Sequence, residues 1–213
     1  MKLCKKQILL MALSVSLAFS QCAVIPVQGS EITAEMVMSV STAEELEELS
    51  KKCTLDSWSV GKIVELTEDI DLTGKEFAAI PVFAGTFYGN GHTISGLNLN
   101  ADTSSQGLFR YITADGLVEN LIVSGTITSD DGQENLGGIV GSLEGTVRNC
   151  RFEGIVEGGS YVGGIAGRNK ESGRIESCTF EGTLSGTTCT GGIAGENKGV
   201  ISASENLGRI NTA

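Results

Sequence analysis

Histidine occurs once in the 213-residue chain, at His92, and that scarcity removes several chemistries at the outset. The HExxH helix of a zinc peptidase needs two histidines, and any Ser-His-Asp or Cys-His pairing has to use this single residue. His92 follows Asn90-Gly91, a tight-turn dipeptide, and reads as part of that turn. The six cysteines include no CxxC pair, which speaks against a structural zinc site. Neither Gly61-Lys62-Ile63 nor Gly74-Lys75-Glu76 completes a GxxxxGK[ST] phosphate loop, and no GxGxxG spacing supports a dinucleotide site. The calcium nonapeptide GGxGxD and an LPxTG anchor are missing as well.

Basic residues are also few. The formal charge is −11, from 15 Lys+Arg against 26 Asp+Glu. Lys2, Lys5 and Lys6 precede an uncharged run, Ile8 to Phe19, and small residues stand before Ser30, the pattern of a secretory signal peptide over residues 1–29. The run is too short to span a membrane, and Gln21 before Cys22 does not fit the small residue that lipid attachment wants. Cleavage takes away three lysines, leaving 12 basic against 26 acidic residues and a formal charge of −14. So acidic a chain lacks the cations that DNA, RNA or anionic lipid demand. Four cysteines, Cys53, Cys150, Cys178 and Cys189, remain for a compartment where disulfides are allowed but not required.

What the chain does have is glycine, 29 of them, and they recur in register. Segments led by Gly116, Gly145, Gly173 and Gly199 ("GLVENLIVSGTIT", "GTVRNCRFEGIVE", "GRIESCTFEGTLS", "GVISASENLGRIN") follow at steps of 29, 28 and 26 residues. The "GGI" triplets at Gly137, Gly163 and Gly191 keep the same step. Aligned columns collect Val118, Val147, Ile175 and Ile201; Leu121, Cys150, Cys178 and Ser204; Val123, Phe152, Phe180 and Asn206; and Ile127, Val156, Leu184 and Ile210. A fifth column is always glycine: Gly125, Gly154, Gly182, Gly208. Apolar residues alternate with polar ones in short runs, which is strand periodicity.

Short strands repeated at one period cannot each bury a face alone, but they can when stacked. The expected fold is therefore all-β, a right-handed parallel β-helix over residues 60–213, with one coil per repeat and a rise of about 4.8 Å. Its columns become interior ladders, each buried Val, Ile or Phe contributing on the order of 1.5–3 kcal/mol. Glu119, Arg148 and Glu176 form an outward column of alternating sign. Residues 41–52 ("STAEELEELSKK") carry a Ser/Thr cap, early acids and late lysines, and predict a helix that covers the N-terminal end of the stack. The remaining boundaries are a linker plus that helix over 30–59, irregular first coils over 60–115, and regular repeats over 116–213. The array is expected to stop uncapped, as a truncated product whose open last coil frays or self-associates.

At this level of detail the segments "GGIVGSLEGTVRNCRFEGIV" and "GGIAGRNKESGRIESCTFEGTL" resemble the GLUG motif repeat of bacterial secreted and surface proteins. The resemblance covers about 116–213, with Ser204 and Asn206 marking a decayed last copy. It implies an extracellular parallel β-helix of the kind found in adhesin-like proteins and ahead of zinc metallopeptidases that cleave immunoglobulin A. It carries over no catalytic residue and no cofactor.

Candidate chemistry is thin. Glu153 and Glu181 share an outward column and repel unless a cation bridges them, and Asp130, Asp131 and Glu134 sit together in "SDDGQEN". These five are weak ion-site candidates, since such clusters are more often solvated faces than sites. Asp69 and Asp71 read as edge charges. Cys150 and Cys178 stack within disulfide reach with parallel side chains, and a reduced core ladder is expected. The functional expectation is a non-enzymatic secreted or surface module that binds an extracellular protein or glycan. The alternatives are a carbohydrate-active β-helix using surface carboxylates, or the stalk of a larger metallopeptidase.

Overall fold

The computed structural model describes residues 36–129 and 132–212. The signal-peptide assignment at 1–29, together with Asp130 and Asp131, lies outside the described residues. What is described is a parallel β-solenoid with one short helix. Each regular coil visits four sheets in turn. The coil on the fourth rung of sheet 1, for example, runs through Leu117–Glu119 on sheet 1, Ile122–Thr128 on sheet 2, Leu136–Gly137 on sheet 3 and Val140–Leu143 on sheet 4. The chain then re-enters sheet 1 at Thr146–Arg148, one rung on. Sheets 1 and 2 have seven strands each, and sheets 3 and 4 have three and five.

The register is the one that the repeat dictates. Val118 pairs with Val147, Val147 with Ile175 and Ile175 with Ile201. Val123, Phe152, Phe180 and Asn206 are consecutive partners, as are Ile127, Val156, Leu184 and Ile210. Every apolar member of these columns through Leu184 is fully buried. The first coils use a different filling, a cluster of Phe83, Phe87 and Phe109 with ring centroids 5.3–6.1 Å apart.

Two glycine columns make this packing possible. Gly125, Gly154 and Gly182 hold φ of 157°, 148° and 146°, a region that L side chains avoid, and a Cβ on Gly154 would stand 1.8 Å from the Gly125 carbonyl oxygen. The second glycine of each "GGI" faces the aromatic column across the interior. A Cβ on Gly138 would meet the Phe152 ring at 2.2 Å, and one on Gly164 the Phe180 ring at 2.3 Å.

The helix spans Ala43–Lys52. Thr42 Oγ1 accepts from Glu45 N (3.2 Å), while Glu45 Oε2 accepts from Ser41 N (2.7 Å) and Thr42 N (3.2 Å), a reciprocal cap. Leu46 and Leu49 are buried in the common core, and Ser50 Oγ donates to Ala78 O beside the outermost strand of sheet 4, Ile80–Phe83. The stack itself begins earlier than residue 60. Val37–Val40 pairs in parallel with Ile63–Leu66 and forms the first rung of sheet 1, inside the stretch assigned above to a linker. Four residues with no repeat partner in sequence carry no periodic signal, which is why that strand is invisible without the structure. Among the described residues no helix is long and apolar enough to cross a membrane.

Candidate functional site

Where sheet 1 hands over to sheet 2, the chain must bend within two residues. Glu119 ends one strand and Ile122 starts the next, with only Asn120 and Leu121 between them. The first residue of the bend takes the left-handed conformation in every regular coil: Asn120 (φ 55°), Asn149 (50°), Ser177 (53°) and Ala203 (50°). Asparagine tolerates that region better than other side-chain-bearing residues. The second bend residue points inward and supplies the Leu121, Cys150, Cys178 column. One coil earlier the bend is longer, Gly89 to His92, and Asn90 (φ 54°) anchors it by donating from Nδ2 to Leu66 O at 2.9 Å.

These stacked bends form the floor of a groove of about 620 Å³, which runs across the coils from Asn90 through Asn120 and Asn149 to Ser177. One wall is made by the first outward residues of sheet 2, namely Ile122, Arg151 and Thr179. The amides are tied to one another, with Asn149 Nδ2 donating to Asn120 Oδ1. Beneath them Cys150 and Cys178 are buried free thiols in consecutive rungs, and burial pushes the Cys150 thiol well above its ordinary pKa.

Charges flank the groove on both sides. On sheet 1, Arg148 Nε and Nη2 bond Glu119 at 3.2 and 2.7 Å, and with Glu176 one rung further this is the expected outward column of alternating sign. On sheet 2, Glu153 and Glu181 are indeed register partners. Their repulsion is relieved from within the chain: Arg151 pairs with Glu153 (2.7 Å) and with Glu181. The bridging cation is therefore a guanidinium, a role that reading the glutamate column alone did not supply. Glu134 is exposed, on the segment entering sheet 3, and does not line the groove. Among the described residues no group of three or more His, Cys, Asp or Glu side chains gathers as a metal site would require. His92 pairs with Asp69 (Nδ1 to Oδ1, 3.2 Å), and Asp69 also accepts from Thr93 N, so both act in a link between adjacent turns. These two bonds, the Thr93 one first, hold the Asp69 carboxyl below its usual range.

Sequence reasoning drew its candidate site residues from the carboxylates and none from the place before each Leu/Cys column position. That place, held by Asn120, Asn149 and Ser177, carried a signal of its own: a small polar residue recurring ahead of a buried one.

The GLUG motif matches residues 132–157 and 158–185, so the chain carries tandem GLUG repeats. Over 147 residues, 60% of this chain, it is 29% identical to Halomucin of Haloquadratum walsbyi, of which the match covers 2%. The chain thus spans a small fraction of that relative's length. No solved structure gives a significant match.

Proposed function

We propose that this carrier of tandem GLUG repeats is a secreted or cell-surface interaction module, without catalytic activity of its own, that binds an extracellular glycan or protein. One observation carries the reading. The repeat sets outward side chains at fixed intervals, and over the sheet 1–sheet 2 bend it lines a groove with a row of small polar ones, Asn90, Asn120, Asn149 and Ser177. Such a surface suits an extended, repetitive partner. Among the described residues the groove lining contains no carboxylate, and its Arg151, like Arg148 beside it, is engaged by flanking glutamates in ion pairs. The leader-like first 29 residues support export.

The test is twofold. Surface proteolysis and fractionation of the producing cells locate the protein. Incubating the chain with polysaccharides, beside Glu153→Gln and Glu181→Gln variants, separates binding from cleavage. Shortened products that vanish in either variant would replace this reading with the carbohydrate-active one. Should the encoding frame continue downstream into HExxH, the chain would instead be the stalk of a peptidase.

A further inference from the structure

We infer that the bend groove binds a neutral polysaccharide lying along the solenoid axis, with one sugar unit per coil. This deepens the interaction-module reading and rests on it. Size is the first argument. A groove of about 620 Å³ falls in the range of sites that enclose small ligands, roughly 300–1,000 Å³, and this one continues across four coils instead of closing into a pit.

Periodicity is the second. Asn120, Asn149 and Ser177 repeat at the strand spacing of about 4.8 Å, which is close to the length of one pyranose unit in an extended polysaccharide. An extended polymer therefore meets a small polar side chain at each step, as a globular partner would not.

The third argument is chemical. Amides and hydroxyls both donate and accept, as sugar hydroxyls do. Here Asn120 and Asn149 are tied to each other by an amide–amide bond, so those two side chains have less freedom to lose on binding. Ile122 adds an apolar patch for the C–H face of a ring.

Charge then selects among glycans. Glu119, Glu153, Glu176 and Glu181 flank the groove against Arg148 and Arg151, and both guanidiniums are already engaged by those glutamates. Net negative flanks on a chain of formal charge −11 repel uronates, sulfates and phosphates, whereas uncharged hydroxyls are indifferent to the sign.

The experiment uses the full chain, titrated by calorimetry with mannan, amylose and β-1,4-glucan oligosaccharides and, in parallel, with polygalacturonate and alginate. Asn149→Gly and Ser177→Gly remove a rung while suiting the left-handed backbone, and circular dichroism checks their fold. Tyr111→Ala, on the outward face of sheet 4, is the control. The expected result is binding to at least one neutral polymer, with affinity rising with chain length to about four units, the number of coils the groove crosses. Each glycine variant weakens it about tenfold, roughly 1.4 kcal/mol, and Tyr111→Ala leaves it unchanged. Binding to acidic polymers alone, or to none of the neutral ones, overturns the inference. Neutral binding that survives both glycine variants but falls in Tyr111→Ala overturns the groove while leaving the module reading intact. Shortened neutral products would overturn the module reading itself.

Discussion

Replacing Gly154 by alanine isolates what the glycine column does. Two costs are involved. At φ 148° the backbone lies in a region that is essentially reserved for glycine, worth about 1–3 kcal/mol for any other residue. In addition, the new Cβ would stand 1.8 Å from the Gly125 carbonyl oxygen, a backbone atom inside a packed ladder. Relieving that contact means shifting a rung, and overpacking of this kind costs about 1–3 kcal/mol. The two together come to roughly 2–6 kcal/mol, a large share of a domain's typical stability of about 5–15 kcal/mol. Gly91 is the internal control. It too has a positive φ, 81°, but nothing lies within 4 Å of its would-be Cβ, so Gly91→Ala incurs only the left-handed penalty of about 1–2 kcal/mol. Urea unfolding followed by far-ultraviolet circular dichroism compares the two variants with the parent. The refuting result is equal destabilisation, or a Gly154→Ala variant that unfolds at the parent's midpoint, because either would mean the rungs can separate without cost.

Arg151→Gln leaves Glu153 and Glu181 facing each other unneutralised, so that variant, unlike the parent, gains thermal stability on millimolar calcium; an unchanged melting temperature with and without calcium removes the bridging role. Among the described cysteines, thiol labelling at pH 8 with peptide mapping modifies exposed Cys189 first and spares Cys53, Cys150 and Cys178 until urea unfolds the chain; early labelling of Cys150 would mean the groove floor opens. Burial, against a hydrogen bond from Ser59, pushes the Cys53 thiol up to about 12, so the native state loses stability as pH rises from the unfolded thiol's value of about 8.5 toward 12, and Cys53→Ala flattens that alkaline slope. The Glu45 carboxyl is held low by the Ser41 and Thr42 groups it accepts from; its support is present above the unfolded value of about 4.3 and is lost as pH falls through the lower folded value. Thr42→Ala, which also breaks this cap, costs about 1 kcal/mol at neutral pH in urea unfolding.

The regular coils were legible because a solenoid turns sequence period into vertical contact. Phe152 sits on Phe180 and Val147 on Ile175 for the same reason that their segments align, since one repeat is one rung. The helix was legible for a different reason: Thr42, Glu45, Lys51 and Lys52 state both its ends locally. Val37–Val40 had neither kind of signal. It joins sheet 1 only because the helix and its following turn return the chain beside it at Ile63–Leu66, a non-local pairing that no window of sequence contains.

Contacts made across the interior, rather than along the stack, were the ones that reading by columns could not reach. The "GGI" triplets and the aromatic column each look like separate features of the repeat, but Gly138 faces Phe152 and Gly164 faces Phe180, so one exists as the space for the other. Where the aromatic is lost, at Asn206, the glycine opposite is retained as Gly192, and a Cβ there would still meet the Asn206 side chain at 2.5 Å. The groove follows the same logic on the outside. Arg151 engages Glu153 two places along its own strand and Glu181 on the next rung, one contact along the chain and one along the stack. A column alignment shows only the second direction and therefore reported two glutamates in conflict. Sites on a repeat scaffold belong to the diagonal relations between columns, and those become visible only once the rungs have both a height and a face.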